Sequence, residues 1–131
     1  MTTTDMMQDL VDFHIKFGLE YIGKPRWRLE PYMLEDFRAT CMREEVNEYM
    51  SAKNRASRLD ALVDLIYFAL GTVYLHGFGP IFYEAWDRVH AANMSKIRSP
   101  ASVISAQRGS RFDVIKPPNF RPPDLTDLVQ R

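Results

Sequence analysis

Cysteine is almost absent from this 131-residue chain: Cys41 stands alone, so no internal disulfide can form and nothing calls for an oxidising compartment. Its expected role is that of a small buried apolar residue. No apolar run approaches the roughly eighteen residues that a membrane-spanning helix requires, which excludes a simple membrane anchor. Net charge is missing as well. Seventeen basic and seventeen acidic residues cancel, which removes the broad basic field of a general nucleic-acid binder. The first residues, Met1 to Asp5, lack the basic start and apolar stretch of a secretory signal. The expected setting is therefore the cytoplasm, that of a host if the chain is viral, with neither a membrane nor a nucleic-acid polymer as partner. The three histidines, His14, His76 and His90, have no spacing suited to zinc and read as packing or surface residues.

What is present reads as helix. Met6, Leu10, Phe13 and Phe17 recur at helical spacing after Thr4-Asp5, a candidate N-cap, and Gly18 and Gly23 mark the exit, predicting a helix over 5–20. A loop containing Gly23, Pro25 and Trp27 follows, and Pro31 is placed as the first residue of a second helix over 31–53 carrying Leu34, Phe37, Cys41, Val46 and Met50. A break at Asn54-Arg55-Ala56-Ser57 precedes a third helix over 58–76, apolar almost all round and hence expected to be central. His76-Gly77-Phe78-Gly79-Pro80 stops it, and Ile81, Ala85 and Val89 define a fourth helix to about residue 96. The expected fold is all-α: a four-helix-type bundle over 1–97, with 98–131 as an extended, proline-rich C-terminal segment of the same domain that holds at most one short hairpin within 98–115.

Five acids stand out against this frame. Glu45 and Glu48 are i,i+3 and Glu44 and Glu48 are i,i+4, which puts each pair about 5–6 Å apart at Cβ on one helix. Asp60 and Asp64 repeat the spacing on the next helix. Two carboxylates 4 Å apart repel by roughly 4 kcal/mol at an effective dielectric near 20, so an inward-facing cluster needs cations, and hard oxygen donors favour Mg²⁺. Such a site suits hydrolysis at phosphorus, with Glu44 or Glu45 free to take a proton from water. The bland alternative is a solvated acidic face partnered by Arg43 and Lys53. Because Asp60 and Asp64 interrupt the most apolar helix of the chain, the metal reading is the stronger.

Asn93 and Lys96 lie i,i+3 near the end of the fourth helix and are expected to point inward, where an amide and an ammonium suit a phosphate chain. Residues 96–131 carry seven Lys or Arg against three Asp, either a solvated basic tail or a basic segment near a polyphosphate. Phe13, Phe17 and Trp27 can stack on a base, although aromatics at such spacing are usually core.

Glu44-Glu45-Val46-Asn47-Glu48 resembles the first motif of the MazG-type all-α nucleoside triphosphate pyrophosphohydrolases, in their small single-domain phage or bacterial form. Their second motif, Glu-x-x-Asp, is kept as Asp64 but reads Ala61 at the Glu position, with Asp60 one residue earlier. His90-Ala-Ala-Asn93-Met-Ser-Lys96 resembles their Asn-Met-x-Lys segment, and the tail from Asp113 to Asp124 resembles the phage-type ending. The resemblance implies hydrolysis of a (deoxy)nucleoside triphosphate to the monophosphate and pyrophosphate with Mg²⁺ or Mn²⁺, by a homodimer or homotetramer, for nucleotide-pool control. It makes Glu45, Glu48 and Asp64 the metal ligands, with Glu44 and Asp60 completing the shell or activating water, and Asn93 and Lys96 the phosphate-binding pair. Phe13, His14, Phe17 and Trp27 become base-pocket candidates, with a lean toward purine deoxynucleotides such as dGTP or dATP. Two other readings stay open: a helical interaction or nucleotide-binding module that has lost its chemistry, motivated by Ala61 and the proline-rich tail, and hydrolysis of phosphoribosyl-ATP, which shares the architecture.

Overall fold

The computed structural model describes residues 5–30, 34–98 and 114–131, and it is all-α with one minimal strand pair. Asp5 caps α1, Met6–Lys16, by accepting the Gln8 N–H at 3.1 Å. This helix ends earlier than expected because Gly18, at φ 69°, already turns the chain. Helix α2 is Leu34–Ser51. Pro31, expected to open it, lies outside the described residues. Asn54 Oδ1 then accepts the Ser57 N–H at 2.8 Å, so the expected break is itself the N-cap and first turn of α3, Arg55–Leu75. Near that turn the Arg58 guanidinium sits 5.0 Å over the Tyr49 ring. At the other end of the pair Arg38 reaches Thr72 and the Phe68 carbonyl, so α2 and α3 run antiparallel as a helical hairpin, with α1 packed on α3.

The segment after α1 is strapped to the end of α3. Tyr21 N–H donates to the Tyr74 hydroxyl at 2.8 Å, while Arg26 gives its backbone N–H to the His76 carbonyl and its Nε–H to that of Leu75, each at 2.9 Å. Gly77, at φ 76°, closes α3 with the paired bonds Gly77 N–H to Tyr74 O and Phe78 N–H to Val73 O. A Cβ there would also meet the Lys24 carbonyl at 2.8 Å, so the strap and the helix end need glycine for two separate reasons. Gly77→Ala is expected to lower stability by about 1–2 kcal/mol in urea unfolding. Gly18→Ala, where an added Cβ meets nothing within 4 Å, is expected to cost less; equal losses would refute the close approach.

The chain divides into two compact units, one running to Pro80 and the other from Ile81 to Gln130. A single 3₁₀ turn, Gly79–Ile81, joins them, so residue 97, the boundary drawn from composition, falls inside the second unit. That unit holds α4, Phe82–Met94, and strands β1, Ile97–Arg98, and β2, Val114–Ile115, paired antiparallel. These are the two sides of the hairpin expected within 98–115; the residues between them lie outside the described set. The C-terminal segment is anchored: Arg88 contacts both carboxylate oxygens of Asp127, the Asp124 carbonyl and Glu84, and Leu128 is fully buried.

The expected apolar faces need correction. On α1 the buried line is Met7, Leu10 and His14, while Met6, Phe13 and Phe17 are left exposed, a rotation by one position. The His14 ring stacks on Tyr74 at 4.4 Å, and this contact sets the face. On α2 Phe37, Val46 and Met50 are exposed, and of the expected line only Cys41 is buried. Helix α3 is central to the first unit, yet Leu59, Leu62, Val63, Ile66 and Tyr67 stay exposed. On α4 no residue is buried; Ile81, in the turn before it, is. Among the described residues no single helix is long and apolar enough to cross a membrane.

Candidate metal centre

Antiparallel α2 and α3 bring two motifs to one place. Glu45 and Glu48, one turn apart on α2, and Asp64 on α3 each offer a carboxylate oxygen, and the three oxygens all lie within 4.8 Å of one another. Glu45 is buried, Asp64 half-buried and Glu48 exposed, so the cluster runs from the helix seam to solvent. Glu45 Oε2 has no hydrogen-bond partner among the described residues. An orphaned buried carboxylate oxygen is costly in a folded chain, and here it sits among further acids.

The electrostatics record that cost. Burial above all, then a hydrogen bond with Glu48 and the charges of Glu48, Asp64 and Asp60, pushes the Glu45 carboxyl from its ordinary range up to about 7. Asp64 is also raised, by burial first and then by Asp60 and Glu48. Protonation relieves part of this repulsion, and a divalent cation held by the three carboxylates would relieve more of it. The donor set fits such an ion: hard oxygens on two rigid helices, one of them left without a partner.

The other acids stand differently. Asp60 is exposed and outside the group of three, although its charge is felt at both Glu45 and Asp64. Glu44 is exposed, also outside it. Ala61, at the position where the resemblance expects a glutamate, is 1% exposed and belongs to the core. A fourth carboxylate at that position would have entered the buried seam; Asp60 stands at its solvent edge.

Asn93 and Lys96 belong to the second unit. Asn93 is exposed rather than directed inward, because α4 buries none of its residues, and Lys96 is half-buried with its ammonium 5.8 Å over the Phe120 ring. The aromatic candidates separate. Phe13 joins a cluster with Phe17 at 4.8 Å and Tyr67 at 5.5 Å. His14 is 2% exposed, its Nδ1–H donates to the Leu10 carbonyl at 2.7 Å, and its ring is covered by Tyr74, which makes it a packing group with no face open to a base. Burial holds the His14 imidazole below its ordinary pKa, against the Leu10 bond, and the Arg38 charge adds to the lowering. Trp27 is 83% exposed at the rim of a separate cleft of about 680 Å³ shared with Arg28, Glu35 and His76.

One residue escaped the sequence reading. Arg38 lies on the same stripe of α2 as Cys41, Glu45 and Glu48, a 3-4-3 spacing that was legible. Its Nε–H donates to Thr72 Oγ1 at 3.0 Å and its Nη2 to the Phe68 carbonyl at 2.8 Å. Gly71 leaves the room it needs, since a Cβ there would meet Arg38 Nη2 at 2.5 Å. No carboxylate among the described residues pairs with this half-buried cation, which therefore acts as a cross-link between α2 and α3.

Comparison with known proteins adds a family match. The family model described as phosphoribosyl-ATP pyrophosphohydrolase matches residues 10–93, which takes in α2, α3 and all three clustered acids. No curated protein matches this chain.

Proposed function

The chain belongs to the phosphoribosyl-ATP pyrophosphohydrolase family, within the MazG-like all-α pyrophosphohydrolase superfamily, and on that premise we propose that it hydrolyses a (deoxy)nucleoside triphosphate to the monophosphate and pyrophosphate. The family makes the reaction a pyrophosphohydrolysis of a nucleotide; the triphosphate substrate and its role in nucleotide-pool control are our reading, and the small phage-type motifs support it. The observation that carries the chemistry is the buried, unpartnered Glu45 Oε2 inside a three-carboxylate group.

Glu45, Glu48 and Asp64 would hold Mg²⁺ or Mn²⁺, with Asp60 beside them. When bound, the ion supplies charge neutralisation at the phosphate oxygens and a more acidic water. The chain's own residues do the rest. Water attacks phosphorus, the anhydride bond between the α and β phosphates breaks, pyrophosphate leaves, and the water's proton passes to Glu44 or Glu45. The Asn93 amide and the Lys96 ammonium hold phosphate oxygens. Phe13 and Phe17 together, or Trp27 at its separate cleft, keep exposed rings for a base, and a purine deoxynucleotide such as dGTP or dATP is the favoured substrate.

The family match itself favours a second reading, phosphoribosyl-ATP as substrate. Pyrophosphate release measured over eight ribo- and deoxyribonucleoside triphosphates and phosphoribosyl-ATP, with Mg²⁺ or Mn²⁺, separates the two. Turnover of a triphosphate with its monophosphate as product upholds the proposal. Turnover of phosphoribosyl-ATP alone selects the second reading, and silence from folded, metal-loaded protein leaves a nucleotide-binding module.

Self-association belongs to the same proposal. Met6 on α1 and Val63, Ile66 and Tyr67 on α3 form an exposed apolar strip, with a depression of about 230 Å³ between the helices. A contiguous strip of this kind on one face of a small unit favours a partner, and a second copy giving a homodimer or homotetramer fits the pyrophosphohydrolase reading. Ile66→Glu is expected to convert the oligomer to monomer in light scattering; an unchanged mass would move the interface elsewhere.

A further inference from the structure

The second unit contains a pair of cations that form no ion pair with an acid among the described residues. The β1–β2 ladder ends with Ile97 opposite Ile115, so Lys96 and Lys116 flank that end of it on the two strands. Like charges gathered at one end of a ladder repel. Both ammonium groups nevertheless lie against one ring: Lys96 Nζ is 5.8 Å and Lys116 Nζ 5.4 Å from the centroid of Phe120. A cation gains from the face of an aromatic ring, and that attraction keeps both positive charges within 6 Å of one ring.

The ring itself is fixed. Phe120 N–H donates to the Pro117 carbonyl at 3.0 Å in a tight turn, and prolines at 117, 118, 122 and 123 limit the backbone on both sides. Neither lysine forms an ion pair among the described residues, where the ion pairs of this unit are those of Arg88 with Glu84 and Asp127. An aromatic ring with two ammonium groups beside it, neither ion-paired among the described residues, is complementary to an anion carrying at least two charges.

We propose that Lys116 and Lys96, held together on Phe120 by the β1–β2 ladder, form a two-cation clamp for a polyphosphate chain. This rests on the pyrophosphohydrolase reading for its ligand, and it adds Lys116 and Phe120, which lie beyond the matched residues 10–93, to the binding machinery. Ammonium groups bind phosphate as mobile point charges, so the clamp recognises the chain of phosphates and not the base. Its contribution appears in binding and falls with salt.

The test is Lys116→Gln in the full-length chain, with Lys116→Arg and Phe120→Leu alongside. Lys116→Gln is expected to raise KM about tenfold for every triphosphate turned over while kcat stays within about twofold, the pattern of lost uniform binding. Inhibition by inorganic tripolyphosphate should weaken by a similar factor, and Lys116→Arg should restore most of it. Phe120→Leu, which keeps both charges but removes the ring, should fall between. Unchanged KM and tripolyphosphate inhibition in Lys116→Gln would overturn the clamp. If the wild-type chain hydrolyses no nucleotide, calorimetric binding of tripolyphosphate still decides: weaker binding by Lys116→Gln supports the clamp even as the reaction reading fails, and equal binding, or none by the wild type, removes it.

Discussion

Glu45→Gln abolishes pyrophosphate release while leaving the fold intact and, without metal at pH 8, more stable than the wild type. Gln keeps the shape of Glu but cannot carry the negative charge that binds a divalent ion. Losing even an outer partner of a metal ligand costs about 10–100-fold, so losing a buried ligand should exceed about 100-fold. The stability gain follows from the same geometry. Glu45 is forced toward protonation by burial and by Glu48, Asp64 and Asp60, so at pH 8 the metal-free wild type holds an unwanted charge there. Its substitute is neutral and brings an N–H donor to the carboxylates of Glu48 and Asp64. Asp64→Asn should show the same pairing of lost activity with unimpaired folding. Pyrophosphate release, with thermal melting in chelator, checks both, and a variant that keeps more than a tenth of wild-type activity would remove its residue from the metal site.

The acidic cluster was legible because helical spacing is a local code. Glu45, Glu48 and Asp64 could be placed on neighbouring helices from their intervals alone, and a three-residue break between the helices made them antiparallel neighbours. Less was legible where non-local contacts choose between nearly equal faces. The apolar line Met6-Leu10-Phe13-Phe17 is as good by periodicity as Met7-Leu10-His14, and only the Tyr74 ring, sixty residues from His14, selects the second. The same limit hid what Arg38 does, though not its place on the acids' stripe, because its partners Phe68 and Thr72 lie on the facing helix. The tail was legible only in its composition. What fixes it, Arg88 on Asp127 and the Ile97–Ile115 pairing, joins residues far apart in sequence.

Metal binding is expected to depend steeply on pH, with a sign set by Glu45. A carboxyl raised from 4.5 to about 7 binds its proton more tightly in the folded chain than in the unfolded one. Between those values the folded state holds more protons, so the stability of the metal-free protein falls as pH rises from about 4.5 through about 7. A divalent ion needs the deprotonated form and competes with that proton. For a single group of pKa about 7, apparent Mg²⁺ affinity should rise about 30-fold from pH 5.5 to pH 8 and then level off. The two effects oppose each other: in chelator the melting temperature should drop over this range, while the stabilisation on adding saturating Mg²⁺ should grow. Asp64, raised in the same direction, steepens the acid side of the curve. In Glu45→Gln both trends should shrink together, because one proton governs both. Melting curves in chelator and in Mg²⁺ at half-unit pH steps read the two at once. A chelator trend that survives undiminished in Glu45→Gln would place the titrating group elsewhere than Glu45.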